Sequence, residues 1–220
     1  MKSSDPAPES VFDLSGGRLC LDFANTLGGP VTEPLERLNT YADLVSWSRQ
    51  AGTVSASGAR RLLEESSRHP RRAAAVLERA RELRGAIYRV WVAEVRGEQA
   101  AVGDLELLNS LLGKALSHQR LVREKDRYAL SWRDEDALES ILWPVAKSAA
   151  ELLTSEEAKL VRQCEAVATN DCAWLFVDET RNRSRRWCSM ASCGNRAKAR
   201  RHYHRARKRP PAEERSEAKS

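Results

Sequence analysis

The chain has 220 residues, of which 41% are hydrophobic and 31% are charged. A chain of this length and composition can bury a sizeable core, which excludes a wholly disordered protein. No apolar stretch approaches the roughly 20 residues of a membrane-spanning helix, and residues 1–8 lack the apolar core of a signal peptide. We therefore expect a cytoplasmic protein without a membrane segment.

Charge is distributed unevenly along the chain. The formal net charge is +6, yet residues 181–209 contain twelve Lys or Arg and no Asp or Glu, which leaves a net charge of −6 for the rest. This split is typical of a basic segment that contacts a polyanion while an acidic body stays away from it. A solvated basic tail is the alternative interpretation.

The body is predicted to begin with a strand and to continue as helices. Residues 17–27 alternate apolar and polar side chains, which predicts a short strand that runs into a turn at residues 28–30. Four helices are predicted from caps, breakers and apolar periodicity: one capped by Asn39 or Thr40 and ended by Gly52, one over residues 56–68, one from Pro70 to Gly97, and one capped by Asp104. The third should be the central helix of the body.

The second half of the body is predicted to hold a hairpin and two further helices. β-friendly residues predict an antiparallel hairpin over residues 118–132. Asp134 then begins an amphipathic helix bent at Pro144, and Thr154 with Glu157 forms a capping box for a last helix. The expected fold class is α+β, with a mostly α-helical body and a few short strands.

Four of the five cysteines cluster near the C-terminus, in the pattern C-x7-C, fifteen residues, C-x4-C: Cys164, Cys172, Cys188 and Cys193. In a reducing compartment such clustering favours a tetrahedral zinc site over disulfides, and a module this small needs a staple to fold. We predict one structural Zn²⁺. The fourth ligand is Cys164 or, in its place, His202 or His204, whereas Cys20 lies alone and is assigned to the core.

The zinc module is predicted to be treble-clef or ribbon-like, ending in a basic helix. Residues 173–177 indicate a strand, 178–184 a polar turn and 185–187 a second strand, and residues 194–208 indicate a helix without a breaker. Only three residues of this helix remain to dock on the module: Ala197, Ala199 and Tyr203.

Basic residues occupy most of the circumference of that helix, which makes nucleic acid the expected partner. We predict DNA contacts, with RNA as the second choice, from two arginines of the preceding strand and six residues of the helix: Arg185, Arg186, Asn195, Arg196, Lys198, Arg200, Arg201 and Arg205.

The run WCSMASCGNRAKARRHY at residues 187–203 resembles the CGNR zinc finger, and CAWLFVDETRNRSRRWC at 172–188 fits the same family. Near the N-terminus, LCLDFANTL at 19–27 resembles the start of the ABATE domain. The resemblance implies a stress-induced transcription regulator that binds DNA through the finger. In the ABATE-like part it implies recurrent polar positions that line an effector pocket: Asp22, Asn25 and Thr26. The alternative interpretation is that these three residues cap a turn or the next helix.

The predicted organisation has four segments: a disordered N-terminus at 1–10, an ABATE-like domain at 11–159, a CGNR-type finger at 160–209 and a disordered tail at 210–220. The body is expected to sense a small-molecule effector or to form a homodimer. The competing functions are an RNA-binding or ribosome-associated protein and a thiol-based redox sensor. An enzyme is not expected, because the sequence has no P-loop, Rossmann glycine pattern, H-E-x-x-H or nucleophile elbow.

Overall fold

A computed structural model describes residues 12–133 and 136–207, so the predicted disordered ends, residues 1–10 and 210–220, lie outside the described part. The described residues form seven helices, α1 (Leu19–Ala24), α2 (Tyr41–Gln50), α3 (Ala56–Arg68), α4 (Pro70–Arg96), α5 (Val102–His118), α6 (Trp143–Leu153) and α7 (Asn195–Arg207). They also form three antiparallel strand pairs, β1 (Leu27–Gly28) with β2 (Leu35–Glu36), β3 (Gln119–Glu124) with β4 (Arg127–Trp132), and β5 (Val161–Gln163) with β6 (Leu175–Val177). No helix in these ranges has the length and apolar character needed to cross a bilayer.

Helix α4 is the central element of the body, as its apolar periodicity predicts. Pro70 lies in its first turn, where a missing N–H costs nothing, and Gly97 ends it in the left-handed conformation at φ +70°. Its buried face packs against α1, α2 and α5. The interior positions Ala80, Leu83 and Trp91 are fully buried, so the core lies along this helix.

The structure confirms three predictions that rest on local sequence signals, two helices and one hairpin. Thr40 and Asp43 form a reciprocal capping box at the start of α2. Helix α3 covers residues 56–68 as predicted, with the Ser55 side chain accepting from the backbone of Gly58. The hairpin β3–β4 also forms in the expected place, with Lys125 at φ +49° in its turn.

The strand predicted over residues 17–27 is wrong, because this segment forms α1. Its buried residues are Cys20, Leu21, Phe23 and Ala24, a helical spacing that packs one side onto α4 and α6. Over six residues an alternating pattern and a helical pattern share most of their apolar positions. Only the neighbouring helices decide between them.

Asp104 and Pro144 do not have the roles that the sequence indicates. Ala101 is the N-cap of α5, and Asp104 instead pairs with Arg89 of α4, with 2.6 Å between Arg89 Nη2 and Asp104 Oδ1. Pro144 lies in the first turn of α6 rather than bending a longer helix, since Leu138–Leu142 form a separate 3₁₀ turn. Asp134, the predicted helix start, lies outside the described residues.

The last predicted body helix is also absent. Thr154 ends α6, and the Glu157 carboxylate pairs with the Arg18 guanidinium at 2.6 Å instead of capping a helix. The chain then passes through a short 3₁₀ turn into β5, which pairs with β6. Residues 185–187 form no strand, so the strand partner of β6 lies before the first clustered cysteine rather than after β6.

Strand β6 separates two cores. Leu175 and Val177 join the main core of the body, together with Val161 of β5. Phe176, which points to the other face as alternation requires, packs among the four clustered cysteines. The finger therefore shares a wall with the body, and the two parts stabilise each other through this strand.

Candidate metal centre and nucleic-acid interface

The fold brings the four clustered cysteines together from two separate turns. Cys164 and Cys172 lie on either side of the 3₁₀ turn Glu165–Thr169, and Cys188 and Cys193 precede α7. All four Sγ atoms lie within 4.8 Å of one another, and the distances Cys172–Cys188 and Cys188–Cys193 are each 3.7 Å. Tetrahedral Zn–S bonds of about 2.3 Å require S···S distances of about 3.8 Å, which these two distances match.

The site fits one structural zinc ion held by cysteine alone. All four cysteines are buried, and Cys164 is fully so. His202 and His204 are exposed on α7 and are not part of the cluster. The fourth ligand that the sequence left open is therefore Cys164. Four thiolates complete a tetrahedral shell and leave no open position on the metal.

Backbone hydrogen bonds shape the first turn. The N–H of Cys164 donates to the carbonyl of Trp174 at 2.8 Å, and the N–H of Glu165 donates to the carbonyl of Arg186 at 3.0 Å. Asn170 ends the turn in the left-handed conformation at φ +60°, which asparagine tolerates better than most residues. These contacts bring the first cysteine pair beside the second.

The second turn leads directly into the basic helix. Met190–Gly194 form a single π-helical turn, and the N–H of Gly194 donates to the carbonyl of Ser189 at 3.0 Å. Arg196, in the first turn of α7, donates from Nη2 to Cys193 Sγ at 3.2 Å. This hydrogen bond raises the pKa of Arg196. The guanidinium thus neutralises part of the charge of a zinc-bound thiolate.

Contacts among the sulfurs move the pKa values of the thiols apart. Hydrogen bonds from the thiols of Cys172 and Cys188 lower the pKa of Cys164, whereas the contact with Cys164 raises the pKa values of Cys172 and Cys188. A divalent cation removes this competition for protons, because all four sulfurs then bind it as thiolates.

The Arg185 side chain makes its contacts within the finger. Its guanidinium donates to the carbonyls of Trp187 and Cys188 and lies 4.3 Å from the centre of the Phe176 ring. Its backbone N–H donates to Asp178 Oδ2 at 3.0 Å. These contacts join the loop after β6 to the second cysteine pair, so the structure removes Arg185 from the set of surface cations.

The other predicted DNA contacts are exposed on or beside α7, and they fall into paired and unpaired cations. Arg186 pairs with Glu165, and Arg200 Nη2 lies 2.8 Å from Asp171 Oδ2. Asn195 donates to the carbonyl of Ala191. Among the described residues Lys198, Arg201 and Arg205 have no acidic partner; Arg201 lies over the Trp187 ring.

The predicted docking of α7 through three small or aromatic residues is wrong. Ala197 is half-buried, but Ala199 is exposed and Tyr203 is 57% exposed. Helix α7 packs mainly at its N-terminal end, against the turn that carries Cys193. The zinc site, rather than an apolar face, therefore anchors the helix.

The three predicted effector residues mainly support the fold. The buried Asn25 amide donates to the carbonyl of Leu175 and accepts from its N–H, at 2.8 and 2.9 Å, which ties α1 to β6. Thr26 donates to the carbonyl of Phe23 and accepts from Arg84. Asp22 accepts from the N–H of Gly16 at 2.8 Å. They do not converge on one space, although Asn25 borders a cavity.

Asp22 makes the body sensitive to pH. Burial raises its pKa to about 6, and the nearby Asp13 adds to the rise, while the hydrogen bond from Gly16 opposes it. A carboxyl group with a raised folded-state pKa stabilises the fold fully below its unfolded pKa of about 4, and this contribution is lost as pH rises through about 6.

We expect Asp22→Asn, whose amide oxygen still accepts from Gly16, to match the wild type near pH 4. At pH 8 it should be more stable by about 1–2 kcal/mol, after allowance for partial exposure. Urea unfolding at both pH values measures this difference, and a difference independent of pH would contradict it.

The sequence did not identify two residues that hold loops in place, Asp178 and Asn170. The buried Asp178 accepts from the Thr180 hydroxyl and from the backbone N–H groups of Thr180 and Arg185, the latter two at 3.0 Å. Burial alone would raise its pKa, but these hydrogen bonds outweigh burial and lower it. The D-x-T spacing of an Asx turn is the signal that could have identified it. Asn170 hydrogen bonds to residues 31 and 32, a long-range contact that no local pattern indicates.

Two protein-family models match this chain, one over the body and one over the finger. The ABATE family model, described as "Putative stress-induced transcription regulator", matches residues 17–156, and the CGNR zinc finger model matches residues 161–206. A search among curated proteins gives no match. The first model alone covers more than half of the chain. The protein therefore belongs to the ABATE family and carries a C-terminal CGNR zinc finger.

Proposed function

We propose that this protein is a DNA-binding transcription regulator in which one structural zinc ion positions the basic helix α7 so that it can contact DNA. The observation that carries the proposal is the exposure of α7. Its thirteen residues include six Lys or Arg and no Asp or Glu, and most of its side chains are exposed, while its N-terminal end packs against the turn that carries Cys193. Like charges crowded on one helix repel each other, and a polyanion relieves that repulsion.

The two faces of α7 carry different environments. Lys198, Arg201 and Arg205 follow steps of three and four residues and so share one face, whereas Arg196 and Arg200 lie on the opposite face. The second face contacts the finger, through Cys193 Sγ and Asp171. We therefore assign the principal DNA contacts to Lys198, Arg201 and Arg205. Asn195, Arg196, Arg186 and Arg200 are assigned to the edges of the same interface.

Fluorescence anisotropy with duplex DNA tests the proposal. Three to five phosphate contacts should give a slope of log affinity against log salt of about −3 to −5. Absence of binding to both DNA and RNA at low salt would overturn the function. Stronger binding to structured RNA than to duplex DNA in direct competition would favour the RNA-binding alternative, because RNA is recognised through its shape and single strands.

The acidic partners of the finger should weaken DNA binding. Arg200 pairs with Asp171, and a phosphate must compete with that carboxylate. We expect Asp171→Asn to tighten DNA binding about threefold at low salt, since an exposed ion pair is worth about 0.2–1 kcal/mol. Glu156→Gln is the matched control, because it removes the same charge at an exposed position whose ion-pair partner among the described residues is Lys159. Equal tightening in both variants, measured by anisotropy, would show a general charge effect instead.

The zinc site is proposed to have a structural role. The four buried sulfurs favour a structural role over a peroxide sensor, since oxidation follows exposure. We assign no enzymatic activity, because a four-thiolate zinc site has no open position for substrate. A cytoplasmic location suits reduced thiols.

The body is proposed to bind an effector or to dimerise, and its hairpin exposes Leu121, Tyr128 and Leu130. Sedimentation velocity distinguishes monomer from dimer.

A further inference from the structure

A cavity of about 260 Å³ lies where the body meets the finger. Its walls come from three parts of the chain that are distant in sequence: residues 24–34, which run from the end of α1 into the β1–β2 hairpin, the middle of α4, and the residues that directly follow Cys172. Most of the lining is apolar, with Leu27, Pro30, Val31 and Trp174 among the contributors. An engineered cavity of about 150 Å³ holds benzene. This one therefore has room for a ligand about the size of a bicyclic ring.

The cavity has hydrogen-bond donors without acceptors. Arg89 binds Asp104 through Nε and Nη2, and Nη1 has no acceptor among the described residues. A Cβ atom on Gly85 would lie 3.0 Å from that Nη1, so the missing side chain of Gly85 is what lets Arg89 fold back over α4 beside the cavity. The hydroxyl of Tyr88 accepts from Gln163 Nε2 and keeps its own proton to donate.

The helix itself does not explain why residue 85 is a glycine. Gly85 lies in the interior of α4, where glycine costs about 0.5–1 kcal/mol relative to alanine. The nearest atom to an added Cβ is the end of the flexible, largely exposed Arg89 side chain, so alanine would fit the fold. Gly85 and Arg89 therefore line the cavity together, and a side chain at position 85 would displace the Arg89 Nη1 from its place there.

We propose that this cavity binds a small carboxylic acid with a flat apolar body. The carboxylate accepts from Arg89 Nη1 and the Tyr88 hydroxyl, and the apolar body lies against Trp174 and the loop at residues 30–34. Arg84 also lines the cavity, but its guanidinium is already paired with Glu36 and is nearly buried. Arg89 is 60% exposed in its side chain and so remains accessible to a ligand from solvent.

The position of the cavity connects a bound ligand to the zinc site. Trp174, two residues after the zinc ligand Cys172, donates from Nε1 to the carbonyl of Leu27 at 3.1 Å. Asn170 fixes the cavity loop to the first cysteine turn: its carbonyl accepts from the N–H of Val31, and its side chain exchanges two hydrogen bonds with Thr32. A ligand that stiffens this loop therefore changes how firmly the finger is held, and on the proposed function it changes DNA affinity.

A titration of the zinc-loaded full-length protein tests the site without DNA. The probe is 2-naphthoate, followed by the ¹H–¹⁵N signals of the Trp174 indole, assigned with Trp174→Phe, and of the residue-85 amide. We expect saturable shifts of both signals. Arg89→Gln and Gly85→Ala should each weaken binding at least about tenfold, as expected for loss of a hydrogen bond to a charged group. Arg71→Gln, at an exposed position of the same helix, should bind as the wild type does.

The outcomes separate the parts of the inference. Absence of saturable shifts, or equal binding by Gly85→Ala, overturns the site. Equal binding of the neutral 2-naphthamide overturns the choice of a carboxylic acid. Unchanged DNA affinity at saturating 2-naphthoate overturns the regulatory connection. If the protein binds no DNA at all, the proposed function fails, but the titration still decides whether the cavity is a ligand site.

Discussion

Cys164→Ser is expected to bind less than one zinc per chain and to lose the folded finger. The Cys164 sulfur is fully buried and lies within 4.8 Å of the other three, so a serine hydroxyl leaves the ion with three thiolates and one poor ligand. A structural zinc ion contributes on the order of 10 kcal/mol or more to the fold of such a module, which is comparable with the whole stability of a domain. Elemental analysis after gel filtration with a mild chelator measures the loss.

Controls make this experiment decisive. Cys188→Ser should lose zinc to the same extent, because both cysteines belong to one tetrahedral shell. Cys20→Ala should keep one zinc, since Cys20 lies in the body core away from the cluster. The double variant His202→Ala/His204→Ala should also keep it. Zinc retained in Cys164→Ser and lost in the double variant would identify a histidine as the fourth ligand.

The same variant should also destabilise the body. Strand β6 places Leu175 and Val177 in the body core while Phe176 packs among the cysteines. When the finger unfolds, the strand loses the packing of Phe176 on its finger face, so the burial of those two side chains becomes less favourable. We therefore expect a lower thermal midpoint for the body as well, measured by circular dichroism. An unchanged midpoint would show that the two cores are independent.

The second large effect is expected on DNA binding. Replacing Lys198, Arg201 and Arg205 together with glutamine should weaken duplex DNA binding about 100-fold at low salt and reduce the salt slope by about 3, as for the loss of three phosphate contacts. Glutamine is a good helix former, and the change removes like-charge repulsion, so α7 should remain folded. Zinc content should stay at one per chain, which is the check on folding.

A matched triple variant excludes a simple effect of net charge. Arg120, Arg123 and Arg127 are exposed on the hairpin of the body and far in sequence from the finger. Their replacement with glutamine changes the net charge by the same amount and should leave DNA affinity within about threefold of the wild type at about 0.15 M salt, where the general effect of net charge is largely screened. Equal weakening by both triple variants would contradict the assignment of the interface to α7.

The elements that the sequence predicted correctly are those with strong local signals. Helices α2 and α3 have caps at Thr40 and Ser55, and α4 combines an early proline, a long apolar stripe and Gly97. The short segments were harder. The residues of α1 carry too few turns for one period to stand out, and β5 pairs with a strand twelve residues further on, across the cysteine turn.

The sequence by itself determined the chemistry of this protein: four cysteines at spacings that suit zinc, an unbroken basic segment after them, and an apolar pattern that builds a helical body. Residue type and local spacing are enough for such conclusions. Only the tertiary structure decided which ligand completes the zinc shell, that Arg185 serves the fold, and that Arg200 already has an acidic partner. It also decided that the body and the finger enclose a cavity. These features depend on contacts between residues distant in the chain, which packing determines and local pattern does not.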